Sequence, residues 1–151
     1  MLKYLFFLPI SIFLMQCEND ATEDCSATTC YAETVYIRLI DKNTNENLIA
    51  NNTFSEGDIN IVDQNENTIS FELFSETDGT IAVIIASTTS ETLNYTFQIG
   101  TEINFNTLIA VEKIGEGNYC CGIEKDIAQI TITGIDNEIV YETNTITIFV
   151  P

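Results

Sequence analysis

From Thr34 to the end of the chain, large apolar residues recur at every second position. Val35, Ile37 and Leu39 begin the pattern. It returns in five further segments, at residues 59–62, 69–74, 93–99, 129–133 and 145–150. A period of two places alternate side chains on opposite faces of a β-strand. No segment carries an apolar stripe of helical period over three turns, so the pattern predicts a domain built from strands.

Two further segments and the connectors complete this prediction. Residues 80–86 are apolar almost throughout, as in a strand covered on both faces, and residues 105–111 alternate again. The connectors predicted as turns are polar and comprise residues 42–47, 63–67, 75–79, 88–91 and 134–138. Asp78-Gly79 is a typical hairpin signal. Seven to nine short strands with such turns predict an all-β fold, a single antiparallel β-sandwich over residues 34–151.

The order of the first elements resembles a known kind of sandwich. Thr34 to Val62 is similar to the opening hairpin of carboxypeptidase-regulatory or transthyretin-like domains, in which a strand leads through a polar turn into a short second strand and then a third. The resemblance implies an Ig-like or transthyretin-like sandwich. It implies no activity, because unrelated functions share this fold.

The first sixteen residues have the composition of a secretory signal peptide. Lys3 precedes an uncharged apolar run, Tyr4 to Met15, which is shorter than the roughly 20 residues needed to span a bilayer as a helix. A basic start followed by a short apolar run is typical of a secretory signal. We therefore predict that residues 1–16 are cleaved from the mature protein.

The run ends in Leu14-Met15-Gln16-Cys17, which resembles a bacterial lipoprotein signal. In such signals the peptidase cuts before a cysteine that carries the lipid. The acidic segment Glu18-Asn19-Asp20 is similar to the export signal of surface lipoproteins in Bacteroidetes-type bacteria. The resemblance implies lipidation at Cys17 and anchoring to the bacterial outer membrane or cell surface. Two or three acyl chains would hold the protein there, since each buried methylene contributes about 0.8 kcal/mol.

Residues 17–33 are predicted to form an acidic tether between the lipid and the domain. Without residues 1–16, four basic residues face 23 acidic residues, a formal charge of -19. This charge repels nucleic acid and anionic membrane surfaces. The expected partners are therefore the membrane, through the lipid anchor, and a protein or glycan of unspecified identity.

Four cysteines remain beyond Cys17, namely Cys25, Cys30, Cys120 and Cys121. A secreted protein meets an oxidising compartment in which disulfides persist, and four cysteines allow three pairings. We rank the Cys120–Cys121 bond last, because adjacent cysteines close a strained eight-membered ring. Pairing Cys25 and Cys30 with Cys120 and Cys121 would fix the tether to the domain. Zinc fits this spacing poorly, because one pair has no intervening residues, and a redox-active pair is the other alternative.

Two polar turns repeat the spacing of the first half of a calcium loop. The residues concerned are Asp41, Asn43 and Asn45 in one turn, and Asp63, Asn65 and Asn67 in the other. Neither turn has the glycine at position six or the glutamate at position twelve of that loop. Asp and Asn are also the common residues of tight turns. We therefore expect turn chemistry here and keep calcium as the weaker alternative.

The composition also limits the possible chemistry. The chain contains no histidine, which excludes Ser-His-Asp and Cys-His catalysis and histidine zinc sites. Many acids are present, but no carboxylate pair is singled out for glycoside hydrolysis. We predict a non-enzymatic binding or structural domain with no catalytic residues and no cofactor. The alternatives are a carboxylate-dependent envelope hydrolase or carbohydrate-active protein, and a calcium-stabilised adhesion domain.

Overall fold

The computed structural model describes residues 32–74, 79–85, 87, 90–115, 120–121 and 124–151. The predicted signal peptide, Cys17, Cys25 and Cys30 lie outside these residues, so what was inferred for them stays a prediction. Within the described ranges, no helix has the length and apolar character needed to cross a membrane.

The described part of the chain folds into nine strands. They are β1 (Thr34–Asp41), β2 (Ile59–Asp63), β3 (Phe71–Phe74), β4 (Thr80–Ile84), β5 (Glu91–Ile99), β6 (Ile103–Lys113), β7 (Lys125–Thr133), β8 (Asp136–Val140) and β9 (Thr145–Val150). Two single-turn 3₁₀ helices, Glu56–Asp58 and Tyr141–Thr143, precede β2 and β9. The strands form a five-stranded sheet, in the order β3-β4-β1-β9-β8, and a four-stranded sheet, in the order β2-β5-β6-β7. The predicted all-β sandwich is confirmed.

The five-stranded sheet is mixed rather than antiparallel throughout. β1 and β9 run parallel, with Ile37 opposite Ile146 and Leu39 opposite Ile148. The prediction of an antiparallel sandwich was therefore wrong for this pair, although the other strand pairs are antiparallel. Alternation shows which face a side chain occupies, but parallel and antiparallel strands share that period, so it does not reveal direction.

The core lies between the two sheets and uses the alternating residues as predicted. From the five-stranded sheet, Ile37, Leu39 and Ile148 are fully buried, and from the four-stranded sheet Phe97 and Phe105 are 1% exposed. These two rings face each other across β5 and β6 and stack with centroids 4.8 Å apart. β4, predicted to be covered on both faces, is buried from Thr80 to Val83. Apolar burial of this kind is the main source of stability in such a domain.

Two local predictions were wrong. Residues 134–138 were predicted as a turn, but β8 begins at Asp136 and the connection is limited to Gly134 and Ile135. An edge strand with exposed acids reads like a turn, because charged residues also protect sheet edges from pairing with other chains. The second strand of the opening hairpin is reduced to one bridge, between Ile40 and Asn47, and the next strand, β2, lies in the other sheet.

One buried hydroxyl is unsatisfied. Thr107 on β6 is 0% exposed, and its Oγ1 has no hydrogen-bond partner among the described residues. An unpaired buried polar group costs about 1–3 kcal/mol. We expect Thr107→Val, which keeps the shape and removes the hydroxyl, to raise the free energy of unfolding in urea by about 1 kcal/mol.

The matched control is Thr96→Val on the adjacent strand. The Thr96 hydroxyl is exposed and donates a hydrogen bond to Asn106 Oδ1 at 2.8 Å, so this change should give no gain. A loss of stability in Thr107→Val would show that the buried hydroxyl has a partner and would contradict the assignment.

Candidate functional site

The two predicted calcium turns lie apart in the fold. Asp41 ends β1 and is opposite Val150, while Asp63 ends β2 and is opposite Tyr95 in the other sheet. The structure therefore does not bring the two sets of residues together. No group of three or more acidic, cysteine or histidine side chains in the described ranges is arranged to hold a metal ion.

In the first turn the carboxylate caps the backbone. Asp41 Oδ1 accepts hydrogen bonds from the N–H groups of Asn43 and Thr44, both at 2.8 Å. These two backbone bonds lower the pKa of Asp41, that from Thr44 most strongly. Asn45 takes a positive φ of 60°, which Asn tolerates in turns. The expected turn chemistry is confirmed at this site.

The second turn uses its aspartate in the same way. Asp63 Oδ1 accepts from the backbone N–H groups of Asn65 and Asn67, and Asp63 Oδ2 accepts from Asn67 Nδ2 at 2.9 Å. The side-chain bond from Asn67, followed by its backbone bond, lowers the pKa of Asp63. Both carboxylate oxygens thus have partners within the turn.

These hydrogen bonds predict that protonation of Asp63 contributes to the loss of folded-state stability in acid. A carboxyl group whose pKa is lower in the folded state stabilises the fold above its unfolded pKa of about 3.9, and the contribution is lost as pH falls through the folded pKa. We expect the stability of the wild type to fall more steeply between about pH 5 and pH 2 than that of Asp63→Asn. Urea unfolding across this range measures the difference, and parallel curves for the two proteins would contradict it.

Cys120 and Cys121 lie in a turn between β6 and β7, as the sequence predicted for an adjacent pair. Both are disulfide-bonded. Because Cys25 and Cys30 lie outside the described residues, the pairing remains a prediction. The turn follows the Lys113 end of β6, whereas Ile103 lies at the opposite end of that strand.

A cleft of about 730 Å³ lies at one end of the sandwich. Its apolar wall includes Phe54, Ile99, Ile103 and Phe149. Ile99 and Ile103 flank the β5–β6 turn, and Phe149 lies near the end of β9, so the cleft opens between the two sheets. A volume of this size matches small-molecule sites, which are typically about 300–1,000 Å³.

The backbone of the β5–β6 turn shapes this cleft. Gly100 has a positive φ of 58°, and a Cβ added there would approach the Phe54 ring at 3.0 Å. Its N–H donates to the carbonyl oxygen of Asp58 at 2.8 Å, which ties the turn to the segment before β2. The glycine therefore allows both the turn conformation and the close position of Phe54.

Polar side chains lie at the rim of the cleft. Lys42 Nζ donates to Asp136 Oδ2 at 2.7 Å, which connects the end of β1 to the start of β8. This hydrogen bond and the lysine charge lower the pKa of Asp136. Both side chains are more than half exposed, so the pair orients the rim more than it stabilises the fold. Glu102 adds a second carboxylate.

Among the described residues, one carboxyl group has a raised pKa, and it lies away from the cleft. Burial, and then the charge of Asp126, raise the pKa of Glu33, which immediately precedes β1. Lys42 follows the opposite end of β1, so Glu33 is about 25–30 Å from the cleft at 3.3 Å per residue. A general acid for hydrolysis needs a raised pKa beside the substrate. Glu33 does not lie where it could serve a substrate bound in the cleft.

No protein-family model, curated protein or solved structure matches the chain.

The cleft residues were not predicted as a site. Lys42 and Asp136 stand in segments that read as ordinary turns, and Phe54 stands between predicted strands. A signal was present in Phe54, a large aromatic residue in the otherwise polar segment 51–58. Assembling the cleft required the sheet order, which places distant turns at one end of the sandwich.

Proposed function

We propose that the chain is a lipid-anchored lipoprotein of the bacterial outer membrane whose β-sandwich is a non-enzymatic binding domain. The observation that carries the binding role is the apolar cleft between the sheets, with Phe54 and Phe149 in its wall and a charged rim. An apolar pocket with a few polar groups at its mouth is the usual form of a ligand site. The anchoring role rests on the signal-like residues 1–17.

The placement of the cleft fits an anchored protein. The tether reaches the domain at Glu33, whereas the cleft lies beside Lys42, at the other end of β1. Eight residues of strand put about 25 Å between the two ends. Anchored through Cys17, the domain would present the cleft away from the bilayer. The charge of the mature chain would also repel an anionic membrane surface.

The chemistry of the cleft selects a ligand with an apolar body. Ile99 and Ile103 are 0% and 5% exposed at its base, and the aromatic rings extend the apolar wall. Two carboxylates and one lysine stand at the rim, with the lysine already paired. We therefore propose a neutral or cationic ligand whose apolar part enters between the sheets.

Titration with the neutral fluorescent probe N-phenyl-1-naphthylamine tests this site. The mature chain should give saturable fluorescence enhancement with one probe per protein. Thr101→Trp should reduce the enhancement at least roughly tenfold, because Thr101 lies in the turn that lines the cleft and the indole ring would fill it. Exciting the probe beyond the tryptophan absorption band avoids interference.

Thr92→Trp is the matched control, because Thr92 is exposed at the other end of β5. It should bind the probe as the wild type does. The proposal fails if the wild type shows no saturable binding, or if Thr101→Trp and Thr92→Trp bind equally well.

A further inference from the structure

A shallow depression of about 370 Å³ lies on the outer face of the five-stranded sheet. Tyr36, Arg38, Thr80, Thr143 and Thr145 line it, and we refer to it as the Arg38 face. It is separate from the cleft, which opens between the sheets at the end of the sandwich. Its residues combine one cation, one tyrosine ring and three threonine hydroxyl groups.

Small residues make this face flat. Arg38 is opposite Thr80 on β4 and Thr147 on β9, while Tyr36 is opposite Ala82 and Thr145. Short side chains on both neighbouring strands leave the ring and the guanidinium standing above the sheet. Tyr36 is 39% exposed, so part of its ring is open to a ligand.

Arg38 is the only arginine of a chain that contains 23 acidic residues. Even so, it makes no ion pair with an acid of the described residues. Glu138 lies in the same row of the sheet but two strands away, at about 10 Å. The guanidinium thus presents its planar set of N–H donors to solvent, in a geometry that matches a carboxylate.

The threonines supply hydrogen-bond acceptors, whereas Arg38 supplies donors. Thr143 Oγ1 donates to Thr145 Oγ1 at 2.9 Å, and Thr145 Oγ1 donates to the carbonyl oxygen of Thr143 at 3.3 Å. With their protons engaged, these hydroxyls offer lone pairs to a donor on a ligand. Thr80 also lines the depression, but it is only 3% exposed, so Thr143 and Thr145 are the hydroxyls offered to a ligand.

We propose that the Arg38 face binds a sugar acid, that is, a glycan unit carrying a ring carboxylate. The carboxylate pairs with Arg38, the sugar hydroxyls donate to Thr143 and Thr145, and the apolar face of the sugar ring packs on Tyr36. Inorganic phosphate in its dianionic form has a single O–H donor for the two threonine oxygens and no apolar surface to pack on Tyr36. A neutral sugar leaves the arginine without a charged partner. A uronic acid satisfies all three groups.

Calorimetric titration of the mature chain with a galacturonic acid trimer tests this proposal. The trimer should bind the wild type, and its methyl ester, which lacks the negative charge, should bind at least roughly tenfold more weakly. Arg38→Gln should lose affinity for the trimer by a similar factor. Tyr36→Ala should weaken both ligands, because the aromatic surface serves the sugar ring.

Lys125→Gln is the matched control, because it removes one positive charge from β7 in the other sheet. It should bind the trimer as the wild type does, and so should Thr101→Trp, which separates this site from the cleft. Circular dichroism melting checks that each variant is folded. The proposal is overturned if the wild type does not bind the trimer at about 10 mM, or if Arg38→Gln and Lys125→Gln bind equally.

Discussion

Replacing Phe105 with alanine is expected to lower the free energy of unfolding by about 3–5 kcal/mol. Phe105 and its cross-strand partner Phe97 are 1% exposed, and their rings lie almost parallel, at an interplanar angle of 2°. The substitution removes a buried ring from the centre of the four-stranded sheet and leaves a cavity against Phe97. Small domains are stable by about 5–15 kcal/mol, so the change removes a large share of the total.

Phe74→Ala provides the matched control for this measurement. Phe74 ends β3 at the edge of the other sheet and is 41% exposed. The same chemical change there should cost much less, because the ring already contacts water. Urea unfolding monitored by circular dichroism gives both values. Equal losses in the two variants would contradict the assignment of the Phe97–Phe105 pair as the core of the sheet.

The second large effect concerns the disulfides. A bond from the tether to Cys120 or Cys121 closes a loop of about 90 residues and contributes roughly 4 kcal/mol by loop entropy. The fold supports such a link, because the turn at Cys120 and Cys121 leads into β7, and Asp126 on β7 lies near enough to Glu33 to raise its pKa. The cysteine turn and the start of β1 therefore share one end of the sandwich.

We expect the double variant Cys25→Ser with Cys30→Ser to lose roughly 4 kcal/mol or more of stability. Peptide mapping without reduction should join the peptide containing residues 25–30 to the one containing residues 120–121. The variant Thr28→Ser, within the same segment, is the control and should leave the melting temperature unchanged. Separate Cys25–Cys30 and Cys120–Cys121 bonds in the map would contradict the predicted pairing.

The fold class could be predicted because burial imposes a period of two on strands. Ile59 and Ile61 on β2, Ile146 and Ile148 on β9, and Val35, Ile37 and Leu39 on β1 face the core as the alternation indicates. The β6–β7 pair shows where the rule fails. Its register shifts between Ala110 and Val111, so Ile109 faces Ile130 but Val111 faces Ile127. A bulge changes the phase of the alternation within one strand, and residues 125–128 were missed for that reason.

The sites were less predictable than the fold because they depend on sheet order. Lys42 and Asp136 are 94 residues apart and meet only because β1, β9 and β8 are neighbours. Arg38 alternates with the buried residues of β1, but the threonines that share its face come from β4, from β9 and from the 3₁₀ helix before β9. Local patterns do predict short-range chemistry, and the bonding of Asp41 and Asp63 within their turns shows this.

The central claim is that Cys17 anchors this domain to a bacterial outer membrane, and expression of Cys17→Ala in a bacterial host that lipidates such signals tests it most directly. The wild type should sediment with the outer membrane, and mass spectrometry should find acyl chains on its N-terminal cysteine. Cys17→Ala should leave the outer-membrane fraction, whereas the control Cys25→Ala should remain in it. Retention of Cys17→Ala in the outer membrane at the level of the wild type would contradict the claim.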